Sequence, residues 1–342
     1  MKKINVLIVL LFALFIRVEA QNVNKYKISD RIHLDGDAGW DYLSVDDVAG
    51  RLYVSHGNMV QVVDITKNKV VGTIQDTKGV HGIAIAADLN KGFISDGRDS
   101  AVTIFDLTTL KTITKIKVTG RNPDAILYDP FSHKVFAYNG GSASATVIDA
   151  KENKVIATIP LSGKPEFSVT NNNGLVYVNI EDKNQIAVIN SITLKVEKYF
   201  DVKQGEEPSG LAIDNVNHRL FTVCGNKLMV IIDAETGNTI TTIPIGERVD
   251  GVAFDIDLKR IYSSNGDGTM TVVQQEGKDK YVVIENTITQ RGARTIAVNQ
   301  KTHHIYLPCS DFQPAPKPTA ENPKPRPAPK PNSFTILDIV PL

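Results

Sequence analysis

The sequence contains one tryptophan and two cysteines among 342 residues. Two cysteines cannot build the multi-bridge framework of a disulfide-rich protein, and neither belongs to a CxxC pair. HxH and HExxH patterns are missing as well, so the common zinc motifs are excluded. The chain also lacks a GxSxG elbow and a glycine-rich phosphate loop. It therefore indicates neither a standard serine hydrolase nor a nucleotide-binding protein.

Long hydrophobic runs are also scarce. The apolar run Val6–Ile16 has 11 residues, too few to span a bilayer. Lys2 and Lys3 precede it and Val18-Glu19-Ala20 follows, which is the order of a secretory signal peptide. We expect residues 1–20 to be removed, with no lipid anchor because no cysteine follows the run. The predicted location is periplasmic or secreted, without membrane insertion after cleavage.

Charge of one sign does not dominate. The chain has 38 basic and 38 acidic residues, and loss of residues 1–20 removes three basic residues and one acidic residue. The mature chain is therefore near neutral and has no global field to attract a polyanion. Nucleic acid is a disfavoured partner on this ground.

What the sequence does contain is a repeat. An acidic or amide residue recurs at steps of 41 to 43 residues, in segments such as "VVDITKNKVVGTI" and "VIDAKENKVIATI". The recurring residues are Asp64, Asp106, Asp149, Asn190, Asp233 and the weaker Gln274. A repeated turn-capping role explains this column better than catalysis does.

Each repeat holds four short alternating runs separated by Gly, Asn, Asp or Pro, which predicts four β-strands. Four strands per roughly 40–45 residues are typical of a β-propeller blade. Seven inner-strand starts predict an all-β, seven-bladed propeller of four-stranded antiparallel blades spanning residues 21–342. The last blade lacks one strand, and we expect the N-terminal segment Lys25–Gly36 to supply it and close the ring.

Segments such as "RLYVS", "LVYVN" and "TVIDAKENKVIATIPLSGKPE" resemble the YncE-type, YVTN-repeat family of secreted seven-bladed propellers. The resemblance covers essentially the whole mature chain. It implies a WD40-like repeat fold and a binding or scaffold role, with DNA binding as a further alternative. The single tryptophan excludes the tryptophan docking ring of quinoprotein propellers, so PQQ is not expected.

Aligned blades place one residue each at the start of the inner strand, at one mouth of the central channel. These ring positions are Asp41, His81, Asp124, Glu166, Ser209, Asp250 and Arg294. Four carboxylates around one channel suggest a site for a cation or a small polar ligand, with Asp41, Asp124, Glu166 and Asp250 as metal candidates. The alternative is that His81 and Arg294 neutralise them and water fills the remainder.

A second set of positions lies in the loops between the second and third strands, on the same face. We consider His56, Asp96, Arg98, Asn139 and Asn265 to be candidate ligand-binding residues there. Trp40 directly precedes Asp41 and either stacks on a flat ligand or packs at the mouth. Cys224 and Cys309 occupy equivalent slots too far apart for a disulfide, so two free thiols are expected.

The leading hypothesis is a non-catalytic, exported and monomeric propeller. Its mouth would bind a small polar ligand, a cation, or a protein or cell-envelope partner. The rival is a metal-dependent hydrolase or lactonase of the gluconolactonase-like type, which needs a divalent cation held by the carboxylates. No catalytic residue is assigned, and the cofactor is unknown beyond a divalent cation.

The proline-rich run at residues 313–332 precedes "SFTILD", which matches the third strand of the seventh blade. We therefore predict that the run is an insertion within that blade, on the same face as the ring and Trp40. Its alternating prolines favour extended polyproline II. It either covers the acidic mouth or reaches a partner.

Overall fold

The computed structural model describes residues 25–36, 39–319, 322–323 and 325–342. The signal peptide predicted for residues 1–20 lies outside these ranges. Within them, helix is limited to two one-turn 3-10 segments, Ala87–Leu89 and Glu181–Lys183. No helix in the described ranges is long and apolar enough to cross a membrane.

The strands form seven antiparallel sheets of four. The chain enters through β1 (Tyr26–His33) and then builds blade one from β2 (Trp40–Asp46), β3 (Arg51–His56), β4 (Met59–Asp64) and β5 (Lys69–Ile74). Blade two contains β6 (Val80–Ala86), β7 (Lys91–Asp96), β8 (Ala101–Asp106) and β9 (Thr112–Lys117). Blade three contains β10 (Pro123–Asp129), β11 (Lys134–Asn139), β12 (Ser144–Asp149) and β13 (Lys154–Pro160).

Blade four contains β14 (Pro165–Thr170), β15 (Leu175–Ile180), β16 (Gln185–Asn190) and β17 (Lys195–Asp201). Blade five contains β18 (Pro208–Asp214), β19 (Arg219–Cys224), β20 (Leu228–Asp233) and β21 (Thr239–Pro244). Blade six contains β22 (Val249–Asp255), β23 (Arg260–Asn265), β24 (Thr269–Gly277) and β25 (Lys280–Ile288). Blade seven contains β26 (Ala297–Val298), β27 (Ile305–Cys309), β28 (Thr335–Pro341) and the returning β1.

The predicted propeller is confirmed, including its closure. β1 pairs antiparallel with β28, from Tyr26 opposite Pro341 to His33 opposite Thr335. The N-terminal strand is thus the outer strand of the last blade, as the sequence predicted. This pairing removes the free edge that an open array of blades would present.

The sequence pattern explains how deeply each strand is buried. The second and third strands of each blade are covered on both faces by the neighbouring blades and are buried. Outer strands such as β9 are exposed or half-buried. The second strands carry an aromatic side chain at one shared position, and these are 0–2% exposed: Tyr53, Phe93, Phe136, Tyr177, Phe221, Tyr262 and Tyr306. They fill the space between blades, where each large side chain contributes most to stability.

The repeating acidic column caps turns, as predicted. Asp149 Oδ1 accepts hydrogen bonds from the backbone N–H groups of Lys151 and Glu152, both at 2.9 Å. Asn190 and Asp233 make the same pair of bonds in blades four and five. The column is therefore a device for the turn between the third and fourth strands.

The innermost strand of blade seven is shorter than the sequence suggested. β26 has two residues, and its ladder with β27 ends at Ala297 opposite Tyr306. Pro308 follows in β27 and has no backbone N–H to contribute to a ladder.

The proline-rich segment leaves the propeller after β27 and returns before β28. Its base is paired: Phe312 bridges Pro329, the Gln313 N–H donates to the Ala328 carbonyl at 2.8 Å, and the Lys330 N–H donates to Asp311 at 2.7 Å. The segment is thus an excursion whose two arms are joined where they meet the blade.

Candidate functional site

A β-bulge positions each ring residue in the first six blades. In blade one, Trp40 pairs with His56, but the next regular pair is Leu43 with Val54, which leaves Asp41 inside the irregularity. The inner strands of blades two to six shift register at the same place. A bulge re-aims the side chain it carries, and here it helps to turn one residue per blade towards the channel.

Buried polar side chains of the second strands satisfy the backbone at these bulges. The Asp41 N–H donates to Ser55 Oγ at 2.9 Å, and the Gly82 N–H donates to Ser95 Oγ at 2.8 Å. Asn179 Nδ2 donates to the Ser209 carbonyl at 2.9 Å. Sequence reasoning missed these residues, although each lies two positions after the second-strand aromatic.

The structure brings His81 between two ring carboxylates. Its Nδ1 is 2.7 Å from Asp41 Oδ2 and 3.6 Å from Asp124 Oδ1. Burial disfavours the charged imidazole, but the hydrogen bond to Asp41 and the charge of Asp124 outweigh it and raise the pKa of His81. Burial also raises the pKa of Asp124, while His81 opposes that rise.

Arg294 links Asp41 to a further ring carboxylate, Asp250. It forms a short ion pair with Asp250, and its second nitrogen lies 3.6 Å from Asp41 Oδ1. Burial raises the pKa of Asp250 to about 6, and Arg294 opposes that rise. Ser209, the uncharged ring member, stands apart from these pairs, and its Oγ lies 3.5 Å from the Val249 carbonyl.

Glu166 pairs outside the ring. Lys164 Nζ lies 2.6 Å from Glu166 Oε1 and 2.5 Å from Glu181 Oε2. Burial and the nearby charge of Asp124 raise the pKa of Glu166 to about 8 despite this lysine. Lys164 was not among the predicted site residues, although its position immediately before the strand that carries Glu166 pointed to it.

Each of the four ring carboxylates therefore lies within 4 Å of His81, Arg294 or Lys164. The group best placed for a metal ion is Asp41, His81 and Asp124, whose ligand atoms lie within 4.8 Å of one another. The other two metal candidates, Glu166 and Asp250, are engaged by Lys164 and Arg294. A cation bound by Asp41, His81 and Asp124 would have to displace the proton of His81.

An aromatic contact crosses the channel beneath the ring. Tyr42 of blade one meets Phe167 of blade four, with ring centroids 5.4 Å apart. Burial and the carboxylates above raise the pKa of Tyr42 well above its usual range. A cavity of about 450 Å³ lies beyond this contact, lined by the inner strands of blades one to five. The mouth is thus a shallow polar bowl with an aromatic floor.

Most of the second candidate set lies inside the blades. Asn139 and Asn265 are fully buried and donate to threonine hydroxyls of their own blades at 3.0 and 3.1 Å. Asp96 accepts from Thr103 Oγ1 at 2.6 Å, and His56 Nδ1 lies 2.8 Å from Gln61 Oε1. These contacts give the four side chains structural roles within their blades.

Arg98 is the exposed member of that set, and its stem packs across Gly79. Cys224 and Cys309 are free and buried, and burial raises the pKa of each thiol to about 12. Thiols of this kind remain protonated at neutral pH and are poor nucleophiles.

Trp40 lies at the edge of the bowl, beside the proline-rich segment. It stacks on Phe334 with centroids 5.2 Å apart and contacts Phe312 at 6.2 Å. Next to it lies a pocket of about 590 Å³ between blades six, seven and one. Phe312, Arg326 and Pro327 contribute one wall of this pocket, so the segment shapes the mouth face.

Replacing Glu166 by glutamine should make stability less sensitive to pH. A carboxyl group whose folded pKa of about 8 exceeds its ordinary value of 4.5 stabilises the fold while protonated and loses that contribution as pH rises. The free energy of unfolding of the variant minus that of the wild type should therefore increase by at least about 1.4 kcal/mol from about pH 5 to about pH 8.

Urea unfolding across that pH range measures this gain. Ser209→Ala, at a ring position without a titratable group, is the matched control and should track the wild type. If the difference in free energy of unfolding between Glu166→Gln and the wild type does not change with pH, the pKa of Glu166 is not raised as described.

The chain is similar to solved structures of other proteins. The chain is similar to a structure described as Kuenenia stuttgartiensis hydrazine synthase, with a TM-score of 0.69 and 16% identity over 80% of this chain and 94% of that chain. It is also similar to U3-55K, with a TM-score of 0.75 and 10% identity over 92% of this chain and 98% of that chain. The shared fold is the β-propeller. Identities this low establish the fold alone, because one fold hosts many functions.

No protein-family model and no curated protein matches the chain.

Proposed function

We propose that this chain is an exported, non-catalytic binding propeller of the YncE-type, YVTN-repeat kind, which holds a small polar ligand at the mouth of its channel. The signal-peptide pattern at residues 1–20 supports export, and the repeat segments support the family. Binding modules of this type present variable groups on a rigid scaffold.

The observation that carries the proposal is the ring of paired carboxylates above an aromatic contact. Asp41, Asp250 and Glu166 each lie within ion-pair distance of a basic side chain, and the Tyr42–Phe167 contact crosses the channel below them. His81 is held by Asp41 through Nδ1, and its Nε2 edge packs over Gly97. The raised pKa of His81 favours its protonated form, which cannot accept a proton from a nucleophile.

A metal-dependent hydrolase or lactonase is the second candidate, favoured by the Asp41–His81–Asp124 group. That chemistry requires a divalent cation to polarise a carbonyl and activate water. It would also require His81 to lose its proton, and its raised pKa opposes this.

The proposal predicts stabilisation by a ligand without turnover. Thermal unfolding is measured with Ca²⁺, Mg²⁺, Mn²⁺, Zn²⁺, Cu²⁺ and a panel of small carboxylates, phosphates and sugars. A ligand present at a hundred times its Kd should add about 2.7 kcal/mol to the free energy of unfolding. Asp124→Asn should reduce the shift, because it changes the charge of the ring.

His218→Asn is the control, at an exposed turn on the opposite face where φ is positive and asparagine is tolerated. It should leave the shift unchanged. Metal-dependent hydrolysis of lactones or esters that is lost in His81→Ala would overturn the proposal. Stabilisation that is equal in both variants would also contradict it.

A further inference from the structure

The pocket beside Trp40 is rich in arginine. Arg248, Arg291, Arg294 and Arg326 line it, and they come from two loops and the proline-rich segment. The single carboxylate in its lining, Asp250, is already bound by Arg294. The pocket therefore carries a strong positive excess, although the chain as a whole has a formal net charge of zero.

Three of these guanidinium groups are free to bind something else. Arg248, Arg291 and Arg326 are exposed, and within the described residues their side chains make no ion pair and donate no hydrogen bond. Like charges gathered around one concavity repel each other, and an anion placed between them relieves that repulsion. The planar guanidinium fork also suits carboxylate and phosphate oxygens, which it binds in pairs.

The remaining walls are apolar and rigid. Trp40, Phe312 and Pro327 face the same space, and Trp40 is held by its stack on Phe334. Gly292 lies directly against Phe312: it has φ +90°, and a Cβ there would lie 2.6 Å from the Phe312 ring. Glycine at this position lets the aromatic ring approach the loop and keeps the wall in place.

The size of the pocket indicates a small molecule. A volume of about 590 Å³ falls in the range of about 300–1,000 Å³ typical of sites for small ligands. A nucleic acid would need a basic track along the surface, whereas these arginines converge on one concave site.

We infer that this pocket binds a small organic anion carrying at least two carboxylate or phosphate groups on an apolar or aromatic body. The oxyanions pair with Arg248, Arg291 and Arg326, and the apolar body packs against Trp40 and Phe312. The inference rests on the proposed binding function and specifies the ligand class for one side of the mouth.

Trp40 is the single tryptophan of the chain, so its fluorescence reports directly on this pocket. The probes are isophthalate, its uncharged diamide, and inorganic phosphate, titrated into the full chain. Isophthalate should give a saturable change in Trp40 emission, and calorimetry should give the same Kd. The diamide should bind at least tenfold more weakly. Inorganic phosphate should also bind more weakly than isophthalate, because it has no apolar body to pack against Trp40 and Phe312.

Two charge-matched variants make the result specific. Arg326→Ala should weaken isophthalate binding about tenfold, the effect of losing one charge-assisted pair. Arg121→Ala is the control, because it removes an exposed arginine from the same face in blade three, away from the pocket. It should change the Kd less than twofold.

Several outcomes would overturn the inference. They are the absence of a saturable signal with isophthalate, equal weakening by Arg326→Ala and Arg121→Ala, and retention of duplex DNA at physiological salt without binding of any small anion. If instead a cation stabilises the protein and Asp124→Asn abolishes that effect, the mouth binds a ligand and only the arginine pocket has been assigned wrongly. The two proposals are thereby separable.

Discussion

Replacing Tyr26 by alanine should lower the free energy of unfolding by about 3–5 kcal/mol, the usual cost of removing a large buried aromatic side chain. Tyr26 is 2% exposed and belongs to β1, the strand that closes blade seven. Its hydroxyl lies 3.1 Å from the hydroxyl of Tyr262 and accepts from Arg260 at 2.7 Å. Removing the ring takes packing from the closure and deprives the Tyr262 hydroxyl and Arg260 of this hydrogen-bond partner.

Chemical denaturation measures the loss, and two variants separate its parts. Tyr26→Phe keeps the packing and should cost about 1 kcal/mol for the hydroxyl contacts. His33→Ala changes an exposed residue of the same strand and should stay within about 0.5 kcal/mol of the wild type. If Tyr26→Ala unfolds within 1 kcal/mol of the wild type, β1 does not stabilise the ring as described.

Replacing Arg294 by methionine should destabilise the protein by about 2 kcal/mol at pH 8, because Asp250 loses its charged partner. The deficit should shrink as pH falls. Asp250 already has a folded pKa of about 6, above its ordinary value of 3.8, and loss of Arg294 moves it further upwards. A raised carboxyl pKa favours the folded state while the group is protonated, so stability falls as pH rises through that value.

Unfolding at about pH 5 and about pH 8 tests this sign. The double variant Arg294→Met with Asp250→Asn should recover most of the loss at pH 8, since no unpaired charge remains. Arg248→Met changes a neighbouring arginine that makes no ion pair within the described residues, and it should cost less than about 0.5 kcal/mol. A deficit for Arg294→Met that grows as pH falls would refute the pairing.

The fold was predictable because the repeat determines it. Equivalent strands recur about every 42 residues, and period-2 alternation with turn residues identifies each one. The closing strand was predictable because the segment from Lys25 matches the outer-strand pattern of the other blades. The shortness of β26 was not, since a single proline in β27 is a weak signal in a strongly periodic sequence.

The candidate site was predictable only in part. Repeat alignment identifies residues at the same height in the channel, so it found Asp41, His81 and Asp124. It cannot give the contacts between blades far apart in sequence. The Tyr42–Phe167 floor joins blades one and four, and the arginine pocket combines blades six, seven and one with an insertion that has no counterpart in the repeat.

Burial of the second candidate set was hidden for a related reason. Asn139 and Asp96 lie in loop-flanking positions, where asparagine and aspartate usually face water. Their threonine hydrogen-bond partners lie on the next strand. A threonine opposite an asparagine or aspartate gives no distinct signal in a single sequence.

The closure of blade seven also affects the order of folding. Blades one to six are built from strands adjacent in the chain, but the Ser29 hydroxyl bonds to Asp338, 309 residues later. During synthesis β1 is made first and its partner last, so β1 has no native neighbour until the other blades exist. Contacts this distant form slowly. In a concentrated population of complete but incompletely folded chains, β1 of one copy can pair with β28 of another, so strand exchange is the misassembly we expect for this ring.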